Sequence, residues 1–312
     1  MTVNVVWPQD LGRISLHEGN TTLELAPAIG GAIAAYYCVQ DGKRFDWLRP
    51  ASSAALESRL PTGMASYPLL PFCNRIRHGR FTFRGRTVQL PLNVAEPHAL
   101  HGFAWQRPWQ CVAQSATSAT LRMEHAGGDW PWPFVAEQTY RLENGALHVS
   151  LQITNRSSEA MPVGLGHHPY VLHRPGTRLQ VDVESMWEGD HEVMPTQLSQ
   201  PTFLDDLRRG TLLAPLVRDN NFIGWRRSAR VEWPHEKMQM TLTAESPLDF
   251  FVLYSPDDKD HFCIEGVSNC TDWPNLQHLP QAQIGGHVLA PGESLDVRFS
   301  LVPEMPNQAS TS

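Results

Sequence analysis

The chain has 312 residues, 41% of them hydrophobic, enough to bury the core of one large domain or two ordinary ones. Its 25 Lys and Arg against 32 Asp and Glu give a formal net charge of -7 without a basic run, which disfavours nucleic acid or an anionic membrane and favours a small neutral substrate. No apolar run is long enough to span a bilayer, the start Met1-Thr2-Val3-Asn4-Val5-Val6-Trp7-Pro8 lacks a basic, apolar leader, and the five cysteines (Cys38, Cys73, Cys111, Cys263, Cys270) form no CxxC pair. A cytoplasmic protein with reduced thiols is the expectation.

Taken in chain order, segments 80–83, 87–90, 119–123, 147–153, 179–183, 229–233, 238–242, 248–254 and 295–301 alternate apolar and polar residues, the two-residue period of half-buried strands. Arg84-Gly85 and Glu143-Asn144-Gly145 lie between such runs and predict hairpin turns, because Gly and Asn tolerate positive φ. Only 51–60 and Phe203–Arg209 read as helices, both too short for an α/β crossover layer. The 25 Pro and 22 Gly mark no internal linker. The expected architecture is all-β, a large antiparallel β-sandwich forming one domain over 1–305, with a flexible tail at 306–312.

Four clusters carry chemistry: Asn74-Arg75-Ile76, His98-Ala99-Leu100-His101-Gly102, Gly166-His167-His168-Pro169-Tyr170, and Glu265 with the Asn-bearing stretch to Asn275. Imidazole titrates near neutrality and a half-buried carboxylate can be tuned toward it, so a His and Glu265 together suit paired proton transfer. His98, His101, His167, His168 and Glu265 also suggest zinc or iron, but adjacent histidines on an extended segment point to opposite faces, so no metal site is expected. Trp105, Trp109, Trp130, Trp132 and Trp187 sit in or beside loops, where they serve either as platforms for sugar faces or as core plugs. Arg75, Asp219, Asn74 and Asn275, taken singly, read equally well as turn or ion-pair residues.

Together these motifs resemble the aldose 1-epimerase (galactose mutarotase) family. Pro71-Phe72-Cys73-Asn74-Arg75-Ile76 through Gly79-Arg80-Phe81 is similar to its Asn-Arg-Ile…Gly-x-Phe segment, Leu100-His101-Gly102 to its Leu-His-Gly, and His168-Pro169-Tyr170 to its His-(Ser/Pro)-Tyr. Trp187 with Pro195-Thr196, Asp219-Asn220-Asn221-Phe222, and Cys263-Ile264-Glu265 follow in the family's order. The resemblance implies a galactose mutarotase-like supersandwich that binds a sugar in an open cleft without metal or nucleotide cofactor. It further implies Glu265 as base toward the C1 hydroxyl and His168 as acid toward the ring oxygen, with Asn74, Arg75, His101 and Asp219 binding the sugar.

Departures fall in binding loops: His167 precedes His168, Phe103 follows Gly102, Gln197 follows Thr196, and Gly266 follows Glu265 where many members carry Thr or Pro. They leave the preferred sugar open. Arg75, Arg77 and Arg80 raise the alternative of a hexose-6-phosphate epimerase, and a non-catalytic sugar-binding module is the remaining reading. The sequence does not specify the oligomeric state.

Overall fold

The computed structural model describes residues 11–214 and 216–305. The start at 1–8 and the tail expected at 306–312 lie outside the described residues.

Strands dominate and pair antiparallel in the named ladders. A nine-stranded sheet runs, by neighbour, through Gln110–Gln114, Ser118–His125, Phe134–Glu143, Ala146–Asn155, Ser294–Glu304, Met238–Ala244, Ser228–Trp233, Arg178–Val181 and Thr211–Leu212. An eight-stranded sheet orders Pro195–Ser199, Ser185–Gly189, Arg218–Ile223, Phe250–Ser255, His261–Val267, Gly166–His167 and Pro68–Leu69, with Tyr170–Leu172 also paired to His261–Val267. Ile14–Glu18, Thr21–Ala26, Ala32–Gln40 and Lys43–Asp46 form a third sheet.

The expected hairpins close at Asn144 (φ 54) and Gly145 (φ 77), and at Arg84 (φ 48) and Gly85 (φ 79). The Phe203–Arg209 helix forms as expected, with Asp205 and Asp206 in its first turn and Arg208 and Arg209 in its last, charges that complement the helix dipole. The 51–60 helix shortens to Ser53–Glu57. Ser52 caps it by accepting a bond from Ala55 N–H at 3.1 Å, and Arg59 at φ 52 has already left helical geometry.

The two large sheets share one core. Leu121, Ala136, Val149 and Leu242 of the first pack in the same cluster as Phe222, Phe251, Phe262 and Ile264 of the second. The opposite face of the second sheet is also covered, because Val252, Cys263, Val267 and Tyr170 belong to a separate cluster with Tyr67 and Trp105. Burial on both faces explains why Phe250–Ser255 reads as a continuous apolar run. It also leaves one place where polar side chains gather on that outer face.

Candidate active site

The second sheet forms the floor. Along His261–Val267, Phe262 and Ile264 enter the shared core while Cys263 and Glu265 point the other way, as the strand period requires. Register sets Glu265 opposite Val252, which stands opposite Asn221; one step along, Cys263 faces both Tyr254 and Tyr170, and Tyr254 faces Asp219. Asp219, Tyr254, Val252, Glu265 and Tyr170 thereby line a cleft of about 250 Å³.

The rim comes from loops. The short Arg75–Ile76 and Ala99–Leu100 strands pair, bringing Asn74, Arg75 and His101 to the same cleft. His101 (φ 58) and Gly102 (φ 68) are both left-handed, and a Cβ on Gly102 would fall 1.9 Å from the Leu70 carbonyl oxygen, so that position requires glycine. The turn aims His101 inward. Its Nδ1 accepts the Asn74 N–H at 3.1 Å, which leaves the ring proton on Nε2.

His168 follows the Gly166–His167 strand and donates its backbone N–H to the Tyr67 carbonyl at 3.0 Å. Its ring lies 4.9 Å from that of Tyr67 and 4.6 Å from that of Tyr170, both stacked, and 5.1 Å from that of His101, edge-on. His168 Nε2 stands 3.3 Å from Glu265 Oε1, with the two side chains only 8% and 2% exposed. The apposition suits transfer of a proton.

Electrostatics at this pair differ from the expectation of two groups each tuned to neutrality. Burial lifts the Glu265 carboxyl well above the usual carboxylate range, Asp219 adds to the lift and Arg75 opposes it. Burial also pulls the His168 imidazole down, with Arg49 and His261 adding to the fall. Among the described residues His168 Nδ1 has no hydrogen-bond partner, a second reason for neutral imidazole, since imidazolium would bury an N–H without an acceptor. Burial likewise keeps His101 neutral, helped by His168 and Arg75.

Arg75 is the cleft's anchor for negative charge. Its Nε donates to Glu96 at 3.0 Å, and its Nη1 lies 3.6 Å from Asp219 Oδ2. Asn74 Oδ1 accepts the Arg75 N–H at 2.8 Å.

Every expected site residue, His168, Glu265, Asn74, Arg75, His101 and Asp219, thus meets at one cleft. Others of the sequence clusters do not. His167 points into the shared core, where Nδ1 meets Ser66 Oγ in a short contact and the ring packs 5.4 Å from that of Phe299. His98 accepts the His78 N–H and lies 3.7 Å from Glu192, and Asn275 bonds Arg80 O and Asp272. Of the metal set weighed from sequence, His101, His168 and Glu265 meet at the cleft, while His98 and His167 lie elsewhere. Trp105, Trp109, Trp130, Trp132 and Trp187 are all buried at 5% or less and plug cores rather than line the cleft. The cleft's aromatic wall is instead Tyr67, Tyr170 and Tyr254, which no sequence motif singled out beyond Tyr170.

One departure in sequence has a local cause. Gly266 faces the shared core, where Trp225 fills the space of a missing side chain, its Cζ3 lying 3.0 Å from where a Cβ would stand.

The family model described as aldose 1-epimerase matches residues 12–301. The Escherichia coli protein YphB, itself uncharacterized, is 34% identical over 269 residues, 81% of this chain and 87% of its own length. YihR, also from Escherichia coli, is 29% identical over 47% of this chain and 50% of its own. Among solved structures, an Escherichia coli K12 protein described as a candidate aldose 1-epimerase superposes with TM-score 0.83 at 30% identity, covering 94% of this chain and 99% of that one. A galactose mutarotase-like protein from Clostridium acetobutylicum gives 0.84 at 21% identity over 94% and 95% of the two chains, a likeness of fold.

Proposed function

We propose that this chain, which belongs to the aldose 1-epimerase family, interconverts the α and β anomers of a free aldose by paired acid/base catalysis. The observation that carries the reading is the 3.3 Å apposition of His168 Nε2 and Glu265 Oε1 at the base of an open cleft. Glu265 as carboxylate takes the C1 hydroxyl proton while the C1 to ring-oxygen bond breaks. The departing electron pair on the ring oxygen takes a proton from His168 imidazolium, giving the open aldehyde. Rotation about C1–C2 exposes the other carbonyl face, and reclosure returns both protons.

Burial shapes the energetics of that cycle. Ring opening converts carboxylate and imidazolium into carboxylic acid and imidazole, the neutral forms that burial favours at both residues. The ion-paired form that opens the ring is the minor tautomer of this one-proton pair, reached by passing the Glu265 proton to His168 across their contact, and ring opening returns both groups to their neutral forms. His101 Nε2–H and Arg75 are donors toward sugar oxygens, and Asp219 accepts from hydroxyls, with Arg75 setting its position.

Charge supports a neutral sugar over a phosphorylated one. Among the described residues lining the cleft, Arg75 is the one Arg or Lys, facing Glu96, Asp219 and Glu265. Arg77 is engaged by Asp190 at 2.9 Å and Glu192 at 3.3 Å, and Arg80 is solvent-exposed. A phosphate would meet more carboxylates than guanidinium groups.

Polarimetry on a panel of freshly dissolved α-aldoses and glucose 6-phosphate tests the proposal. Acceleration for free aldoses over the phosphate ester is expected. A preference for the ester would overturn the free-sugar assignment, and binding without acceleration on any substrate would favour a sugar-binding module.

A further inference from the structure

The strand that carries Glu265 presents a second group to the same spot. Cys263 lies two residues earlier on the same face, and one donor atom each from His168, Cys263 and Glu265 falls within 4.8 Å of the others. All three are buried. Nothing in the proposed epimerisation uses the thiol.

We propose that His168 Nε2, Cys263 Sγ and the Glu265 carboxylate form an inhibitory site for a thiophilic divalent cation of the zinc or cadmium type, entered from the cleft in competition with sugar. The competition, though not the binding, rests on the cleft being the sugar site.

Donor chemistry suits such an ion. Thiolate, imidazole and carboxylate are the ligand types of tetrahedral zinc. Donors around a tetrahedral ion sit ~3.5 Å apart, a spacing His168 and Glu265 already have at 3.3 Å. Cys263 Sγ, within 4.8 Å of the other donors, would close the remainder by side-chain rotation. Charge balances as well: the dication meets one thiolate and one carboxylate, with neutral imidazole as third ligand, so the buried cluster carries no net charge. The thiol proton, and the carboxyl proton where present, leave to solvent on uptake.

Among the described residues, three protein ligands converge on the site. The His101 ring lies 5.1 Å from that of His168, but its Nδ1 accepts the Asn74 N–H, so Nε2 keeps its proton and has no free lone pair, and His261 is engaged by Asp260 at 3.0 Å. The other charged groups nearby are committed: Arg75 to Glu96 and Asp219, and Arg49 to the Thr62 and Met64 carbonyls. The fourth position opens on the cleft and falls to water. An ion there takes the lone pairs of both proton-transfer groups at once.

Cadmium chloride is the probe, titrated into metal-free protein and followed by the thiolate-to-cadmium charge-transfer band and by X-ray absorption. One cadmium per chain with a single sulfur in its first shell is expected, reversed by a chelator. Cys263→Ala should keep anomer exchange in metal-free buffer but raise the half-inhibiting cadmium concentration by about tenfold or more, whereas Cys38→Ala and Cys111→Ser should leave it unchanged. A shell without sulfur or with two sulfurs overturns the site in the unmutated protein, whether or not Cys263→Ala folds; undiminished uptake by Cys263→Ala does so too. If cadmium binds as described while metal-free protein turns over no aldose, the sugar reading fails and the metal site stands.

Discussion

Tyr67 holds His168 in two ways: its ring stacks on the imidazole at 27° between planes, and its carbonyl accepts the His168 backbone N–H. Its hydroxyl also meets that of Tyr170 at 3.2 Å. Ring and backbone together fix where Nε2 points. Tyr67→Ala should lower kcat by about ten- to a hundredfold with less effect on KM, while Tyr67→Phe, which keeps the stack, should fall much less. Steady-state polarimetry on the three proteins decides; equal rates would mean that other contacts position the imidazole.

Glu265→Gln keeps shape and one acceptor but cannot take a proton. Anomer exchange should drop by about a thousandfold, with sugar affinity by calorimetry nearly unchanged. Near-normal turnover would make Glu265 a structural carboxylate.

The neighbouring histidines should separate cleanly. His168→Asn is expected to abolish most activity at little cost in stability. His167→Asn breaks the buried contact with Ser66, so its main effect should be a loss of stability of about 1–3 kcal/mol, read by urea unfolding, with the rate affected less. The reverse ranking would show that the wrong imidazole has been given the chemistry.

The pH profile follows from the directions of the two shifts. Catalysis needs the pair to hold one proton in total. Burial lowers His168 and raises Glu265, so the one-proton form extends below the ordinary histidine value and above the ordinary carboxylate value. The macroscopic limbs belong to the pair. After correction for the spontaneous reaction, a broad bell is expected whose rate holds as pH falls through ~6.5, the usual histidine pKa. An acid limb at that value would mean that His168 titrates as a solvated imidazole, and a flat profile would end the paired mechanism.

Stability should show its own pH dependence through His167. Burial lowers its pKa to about 3, so between that value and the unfolded one the unfolded chain binds more protons and stability rises with pH. The contribution is fully present above ~6.5 and amounts to a loss of about 2 kcal/mol on acidification to pH ~5. Urea midpoints at the two pH values, compared with those of His167→Gln, measure it; an equal acid loss in the variant would assign the effect elsewhere.

Much of this was legible in the sequence, and the failures have physical causes. Two-residue alternation found strands such as Ala146–Asn155 because one face meets the shared core and the other is partly open to solvent. It also gave the opposite orientations of His167 and His168. The tryptophans misled because a loop position says nothing about depth, and Trp130 sits in a loop yet is fully buried. Tyr67, Tyr254 and Glu96 left no signal, since each joins the cleft through pairing or loop packing between distant segments. Burial of Glu265 on both sides of its sheet, which sets its protonation, likewise depends on tertiary cover that a strand pattern cannot record.

Gly266 and Trp225 divide a fixed volume beneath the Glu265 strand. The indole occupies what a side chain at 266 would take, with Ala244 Cβ 3.7 Å from the same point on the far side. Enlarging 266 alone would push the strand outward and carry Glu265 toward His168, or force the indole from its place. Gly266→Thr therefore requires the indole or the strand to give way, and a smaller residue at 225 should relieve it. In relatives with bulk after the glutamate, the position matching Trp225 should carry correspondingly less, so that the height of the carboxylate above the cleft floor is kept by exchange of volume between two sites outside the cleft.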